Sequence, residues 1–96
     1  MKNFKEIKEI LTEHKQELRE KFKVKEIGIF GSYVKGEEKE KSDVDILIDI
    51  GGIGLLRFIE LEYYLSDMIG VKVDLVMKTA LKPRIGKQIL MEVKYI

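Results

Sequence analysis

Apolar residues recur near the start of the chain at Phe4, Ile7, Ile10, Leu11, Leu18 and Phe22. That spacing is close to the 3.6-residue period of a helix with one buried face, so residues 3–22 are predicted to be helical. Lys5/Glu9 and Glu17/Lys21 are spaced to pair at i,i+4 on its outer face. His14 falls within the apolar stripe, where a lone His reads as a packing residue at the stripe's edge rather than a ligand. From Val24 the pattern changes. Residues 24–30, with β-branched Ile27 and Ile29, read as a strand that Gly31 ends. Ser32 to Lys35 suits a short helix with Ser32 near its N-terminus and Gly36 at its close. Residues 37–42, EEKEKS, form a solvated loop. Residues 43–50 then alternate strictly. Val44, Ile46, Ile48 and Ile50 share a face that must be buried, while Asp43 and Asp45 share the other with Leu47 and Asp49.

The second half continues the alternation of elements. Gly51, Gly52 and Gly54 make a flexible turn, which lacks the Lys-Ser or Lys-Thr of a P-loop. Residues 55–69 are predicted to be a helix with Leu56, Ile59, Tyr63, Leu65 and Met68 facing inward and Gly70 as its stop. Residues 71–77 read as a strand with Val71, Val73 and Leu75 on one face and Lys72, Asp74 and Val76 on the other. Residues 79–91 form a third helical region, with Pro83 in its first turn. Residues 93–96 are either a short terminal strand or a tail that packs on a partner. No repeat or linker interrupts the chain. The expected architecture is a single α/β (α+β) domain over residues 1–96: a small mixed sheet, helices on one face and a metal site on the other.

Composition narrows the classes. A chain of 96 residues can build one core but has little left for a second substrate-binding lobe. The 45% hydrophobic content argues against disorder. The charged residues, mostly Lys and Glu beside a single Asn, carry the bias that accompanies heat tolerance. A net charge of +1 gives no field that would draw nucleic acid or an anionic membrane. No apolar run is long enough to span a bilayer. The charged start MKNFKEIKEI lacks a signal-peptide core, and with no Cys there are no disulfides or thiolate metal sites. The expected compartment is the cytoplasm.

The candidate chemistry lies between the first two strands, in GSYVKGEEKEKSDVDILIDI. Asp43 and Asp45 point the same way from one strand, and Asp74 stands on the less apolar face of another. If those strands are neighbours, the three carboxylates converge. Like charges on one face repel, so without a cation the cluster is a poor structural choice. An all-oxygen ligand set prefers a hard ion such as Mg²⁺ or Mn²⁺, and two such ions suit in-line phosphoryl displacement. Backbone N–H groups and the hydroxyl at Gly31-Ser32 would receive phosphates. Each piece has a plainer reading: an ordinary Gly-Ser turn, a solvated strand end, a paired surface acid. The combination is what points to phosphoryl chemistry.

Gly31-Ser32, ten residues, then Asp43-Val44-Asp45 resembles the signature of the DNA polymerase beta-type nucleotidyltransferase superfamily. The short length and FGSYVKG…SDVDILID are similar to the minimal nucleotidyltransferases of bacteria and archaea, and the tail VDLVMKTALKPRIGKQILMEVKYI resembles that family's C-terminal half. The resemblance implies a polymerase beta-like fold. It implies that Gly31 and Ser32 bind the triphosphate of ATP, and that Asp43 and Asp45 ligate the metals. Asp74 would be the third carboxylate, helping to activate the acceptor hydroxyl. Lys35 stands where many relatives carry Arg. It keeps the charge for phosphate contact but not the planar fork of donors.

The resemblance also implies a partner, a small helical HEPN toxin. The minimal nucleotidyltransferase is then the antitoxin and transfers AMP from ATP to a toxin Tyr hydroxyl. Apolar candidates for the contact are Tyr64, Ile85, Ile89 and Tyr95, for which ordinary packing is the plainer reading. Two rival readings remain: neutralisation of the partner by occlusion alone, or transfer to a small-molecule hydroxyl. Direct nucleic-acid binding is not expected, since no basic stripe is present. Tyr33 is linked to base stacking only by its proximity to Ser32.

Overall fold

The computed structural model describes residues 2–39 and 42–96. In chain order the elements are α1 (Phe4–Phe22), β1 (Val24–Phe30), α2 (Ser32–Lys35), β2 (Val44–Ile50), α3 (Leu55–Ile69), β3 (Val73–Met77), α4 (Pro83–Glu92) and β4 (Lys94–Tyr95), with a 3₁₀ turn at Lys78–Ala80 before α4. The sequence pattern predicts nearly every one. The region expected as one helix over 79–91 divides instead, because Pro83 is accepted only in a helix's first turn and so sets where α4 begins. Of the expected loop 37–42, Glu40 and Lys41 lie outside the described residues. No described helix is long and apolar enough to cross a membrane.

The strands form one mixed sheet in the order β3-β2-β1-β4. β2 pairs antiparallel with β1 and parallel with β3, the latter connection passing through α3. Residues 93–96 resolve in favour of a strand. Tyr95 and Lys94 pair with Gly28 and Ile29 of β1, and the Ile96 amide donates to the Ile27 carbonyl at 2.9 Å. Gly28 permits that approach, since a Cβ there would lie 2.6 Å from Val93 Cγ2.

The core lies between one sheet face and the helices α1 and α3. Ile27, Ile29, Val44, Ile46, Ile48, Ile50, Val73 and Leu75 meet Ile7, Leu11, Leu18 and Phe22 of α1 and Leu61, Leu65 and Ile69 of α3. An irregularity in the β1–β2 register between Val24 and Glu26 lets Val24 share the core face with Ile27 despite their odd separation. Helix α1 begins at a capping box, in which the Asn3 side chain accepts from the Glu6 amide and Glu6 accepts from the Asn3 amide. The outer sheet face is not wholly polar. Leu47 is buried there between its strand neighbours Gly28 and Val76.

Two expectations on the helices need correction. The inward stripe of α3 is Leu61, Leu65 and Ile69, with Phe58, Tyr64 and Met68 partly buried, whereas Leu56 and Tyr63 are 84% and 70% exposed and Ile59 also faces out. LLRFIELEYYLSDMI offers apolar residues in two phases, and only the one compatible with α1 and β3 is chosen. The outer-face pairs on α1 do not form. Glu17 instead accepts from the Tyr64 hydroxyl, and Lys21 lies 4.5 Å from the Tyr64 ring centroid. A cation over a ring is worth at least as much as an exposed i,i+4 ion pair. His14 fills the edge position expected of it, donating from Nδ1 to the Ile10 carbonyl.

The helix phase is testable. Leu61→Ala should destabilise the fold by about 2–5 kcal/mol, and Leu56→Ala by less than about 0.5 kcal/mol, in urea denaturation.

Candidate active site

Strand pairing brings distant parts of the chain to one end of the sheet. Because β1 and β2 are antiparallel, the end of β1 meets the start of β2, and Phe30 pairs with Asp45. Because β2 and β3 are parallel, their starts coincide, and Asp45 pairs with Asp74. Gly31 and Ser32 follow Phe30 directly, and Asp43 lies just before β2. The sequence-predicted residues Gly31, Ser32, Lys35, Asp43, Asp45 and Asp74 therefore share one end of the sheet. Val44, Ile46 and Val73 point from the same strand ends into the core, which turns the carboxylates to the opposite face.

Asp45 is the centre of the cluster. Burial raises its carboxyl to about 6, and the charge of Asp74, the charge of Asp43, a hydrogen bond shared with Asp74 and the charge of Glu92 all push the same way. Asp45 and Asp74 are thus in direct contact, while Asp43 acts on Asp45 through its charge. The convergence is incomplete: among the described residues no three His, Cys, Asp or Glu side chains are already gathered to hold a metal ion. Mutual repulsion favours that spread. The donor chemistry nonetheless fits a hard divalent cation, which would offset the negative charge gathered around Asp45.

Gly31 is shaped by this neighbour. Its φ is +77° and its ψ −150°, a region accessible essentially to glycine alone, and a Cβ would run into the Asp45 carboxylate. The backbone therefore passes Asp45 closer than any other residue would allow. Ser32 opens α2, with the amides of Val34 and Lys35 donating to the Gly31 carbonyl. Tyr33 is no candidate for base stacking. It is 2% exposed within the core, and its hydroxyl donates to the Ser42 carbonyl at 3.3 Å. Burial, with Glu38 and Asp43 nearby, raises its hydroxyl further above the usual phenol range.

Glu92, at the end of α4, was not among the residues singled out from the sequence. Its Oε1 accepts from the Gly31 amide at 3.1 Å, and its Oε2 lies 3.4 Å from Lys35 Nζ. The antiparallel pairing of β4 with the end of β1 delivers it there. Only a decision that residues 93–96 form such a strand could have found it. Of the apolar contact candidates, Ile85 is exposed and Tyr95 is partly so, whereas Ile89 is half-buried and Tyr64 packs on Phe22 at 5.2 Å.

Two measurements follow from this geometry. The folded chain holds the Asp45 proton more tightly than the unfolded chain, in which an ordinary Asp sits near 3.8. That contribution is complete below pH 4 and is lost as pH rises through about 6. In EDTA-containing buffer, Asp45→Asn should therefore be more stable than the wild type at pH 7.5 by about 1 kcal/mol, after discounting for solvent screening. The gap should close near pH 4. Gly31→Ala should cost about 1–3 kcal/mol in the same unfolding assay, and Asp45→Ser should recover part of it by vacating the contact.

Comparisons with known proteins identify the family. The family model described as a nucleotidyltransferase domain matches residues 11–96. Protein adenylyltransferase MntA of Thermococcus cleftensis is 60% identical over 97 residues, covering all of this chain and 98% of that one. The solved structure of a candidate minimal nucleotidyltransferase superposes with a TM-score of 0.75 at 30% identity, covering 92% of this chain and 93% of that one. A solved complex of the tri-AMPylated Shewanella oneidensis HEPN toxin with MNT antitoxin gives a TM-score of 0.69 at 22% identity, covering 93% of this chain and 70% of that one, a likeness of fold alone. The matched range, the identity over the whole chain and the shared fold show that this chain belongs to the nucleotidyltransferases of the minimal type.

Proposed function

We propose that this chain transfers AMP from ATP to a tyrosine hydroxyl of a HEPN-type toxin, and thereby acts as that toxin's antitoxin. The observation that carries the reading is Asp45 in register with Asp74 beside the Gly31-Ser32 turn. The adenylyltransferase name of the 60%-identical relative and the HEPN complexes of the same fold support the choice of acceptor. Asp43, Asp45 and Asp74 would hold Mg²⁺, with Mn²⁺ as an alternative and two ions in all. The metal would supply charge neutralisation for the triphosphate and the leaving pyrophosphate.

The chain's own residues would do the rest. Gly31 and Ser32 offer a backbone N–H and a hydroxyl to the triphosphate, and Lys35 adds a point charge. The acceptor oxygen attacks the α-phosphorus, the bond to the bridging oxygen breaks, and pyrophosphate departs with the electron pair. The hydroxyl proton passes to the carboxylate cluster, where Asp74 is the exposed member. This reaction depends mainly on positioning and charge stabilisation, so a single short domain suffices. The described residues form one sheet and its helices, and the partner chain would bring the acceptor to the carboxylates. Ile85 and Met91 expose apolar surface on α4, the helix that ends at the site. The expected compartment remains the cytoplasm.

Intact-protein mass spectrometry tests the reading. A HEPN-type toxin, incubated with this chain, ATP and Mg²⁺, should gain one or more AMP masses, and Tyr→Phe at the modified position should prevent the gain. EDTA or the folded Asp43→Asn/Asp45→Asn variant should reduce transfer by at least about a thousandfold. A stable complex with no mass gain would replace catalysis by occlusion.

A further inference from the structure

The Glu92 carboxylate makes two contacts at the site, to the Gly31 amide at 3.1 Å and to Lys35 Nζ at 3.4 Å. Both donors belong to the set that the proposed function assigns to the triphosphate. We propose that Glu92 is a built-in placeholder for a nucleotide phosphate, occupying the Gly31–Lys35 seat in the empty enzyme and leaving it when nucleotide binds. This inference rests on the nucleotidyltransferase reading of the site and adds a competition internal to the chain.

The chemistry of the two occupants is alike. A carboxylate and a phosphate are both oxyanions that accept charge-assisted hydrogen bonds from a backbone N–H and an ammonium group. The Gly31 N–H is one donor and cannot serve both at full strength. Charge gives a second reason for exchange. Glu92 adds to the field of Asp43 and Asp74 around Asp45, so a triphosphate arriving with Glu92 in place would meet a fourth carboxylate.

The exchange is also mechanically simple. Residues after Glu92 are fastened to β1 through Lys94, Tyr95 and the Ile96 amide. The Lys15 ammonium donates to the Ile96 carbonyl at 2.9 Å and holds the same end to α1. Rotation of the Glu92 side chain alone therefore vacates the seat, with no movement of α4. The Lys35 end of the ion pair is 45% exposed and the Glu92 end 21%, so solvent reaches the pair and screens it in part. In the empty enzyme the placeholder satisfies the Gly31 N–H and keeps Lys35 at the site.

Nucleotide binding by isothermal titration calorimetry, with Mg·ATP and separately with tripolyphosphate alone, tests the competition. Glu92→Gln, which loses the ion pair and the charge, should bind Mg·ATP about three- to tenfold more tightly than wild type. Glu92→Asp keeps the charge but is one methylene short of Gly31, and should tighten binding about threefold. Unchanged or weaker binding by Glu92→Gln would overturn the inference. Tightening by Glu92→Gln alone would also overturn it, since general charge and not the contact would then be responsible. Carbon-13 NMR reads the wild type directly: its Glu92 carboxyl resonance should move on saturation with Mg·ATP, and a static signal would again overturn the placeholder. Were wild type to bind neither probe, the nucleotidyltransferase reading would fail first. Binding with a static Glu92 would remove only this inference.

Discussion

The placement of Asp45 is imposed by the hydrophobic core. Val44 and Ile46, on either side of it, are fully buried against α1 and α3. A register slip of one residue would carry both into solvent and drive Asp45 into the core. Burying an unpaired carboxylate costs far more than the repulsion it suffers beside Asp74. The strand therefore holds like charges in register because every other register is worse. Raised protonation of Asp45 is the visible consequence of that compromise.

Topology does the remaining gathering. An antiparallel partner on one side of β2 and a parallel partner on the other bring the end of one strand and the start of another to the same place. Gly31, Asp45 and Asp74 meet though they come from separate strand ends. A further antiparallel strand, β4, adds the end of α4 and with it Glu92. The Gly31 conformation couples these layers, since the turn can follow β1 closely only where no side chain intervenes over Asp45.

Much of this was legible from residue order. The alternation over residues 44–50 fixes both the strand and the face of its carboxylates, and the stripe of α1 identifies Ile7, Leu11, Leu18 and Phe22 as core. Local pattern fails where two phases are equally apolar, as in α3, because the choice is made by what packs against it. It fails again for Glu92, whose importance depends on a two-residue strand too short to carry its own periodic signal. Tyr33 shows why proximity in sequence alone assigns no role. It adjoins Ser32, yet an aromatic ring one residue along a helix turns about 100° away, here into the core.

The charge balance at the site constrains how the proposed reaction can begin. Asp43, Asp74 and Glu92 all add negative charge around Asp45, and among the described residues the ion pair made by this cluster is that of Glu92 with Lys35. A polyanionic nucleotide approaching that cluster alone is repelled, and the carboxylates left alone repel one another. Each ligand removes the other's obstacle: the cation cancels carboxylate charge, and the phosphates complete the cation's oxygen shell. Their affinities must then be coupled by the same factor in both directions, since linkage is reciprocal. An enzyme built this way gains little from a strong standing site for either partner. It gains from a seat that stays weakly filled until both arrive together, which is the condition that a partly exposed carboxylate on the Gly31–Lys35 donors would meet.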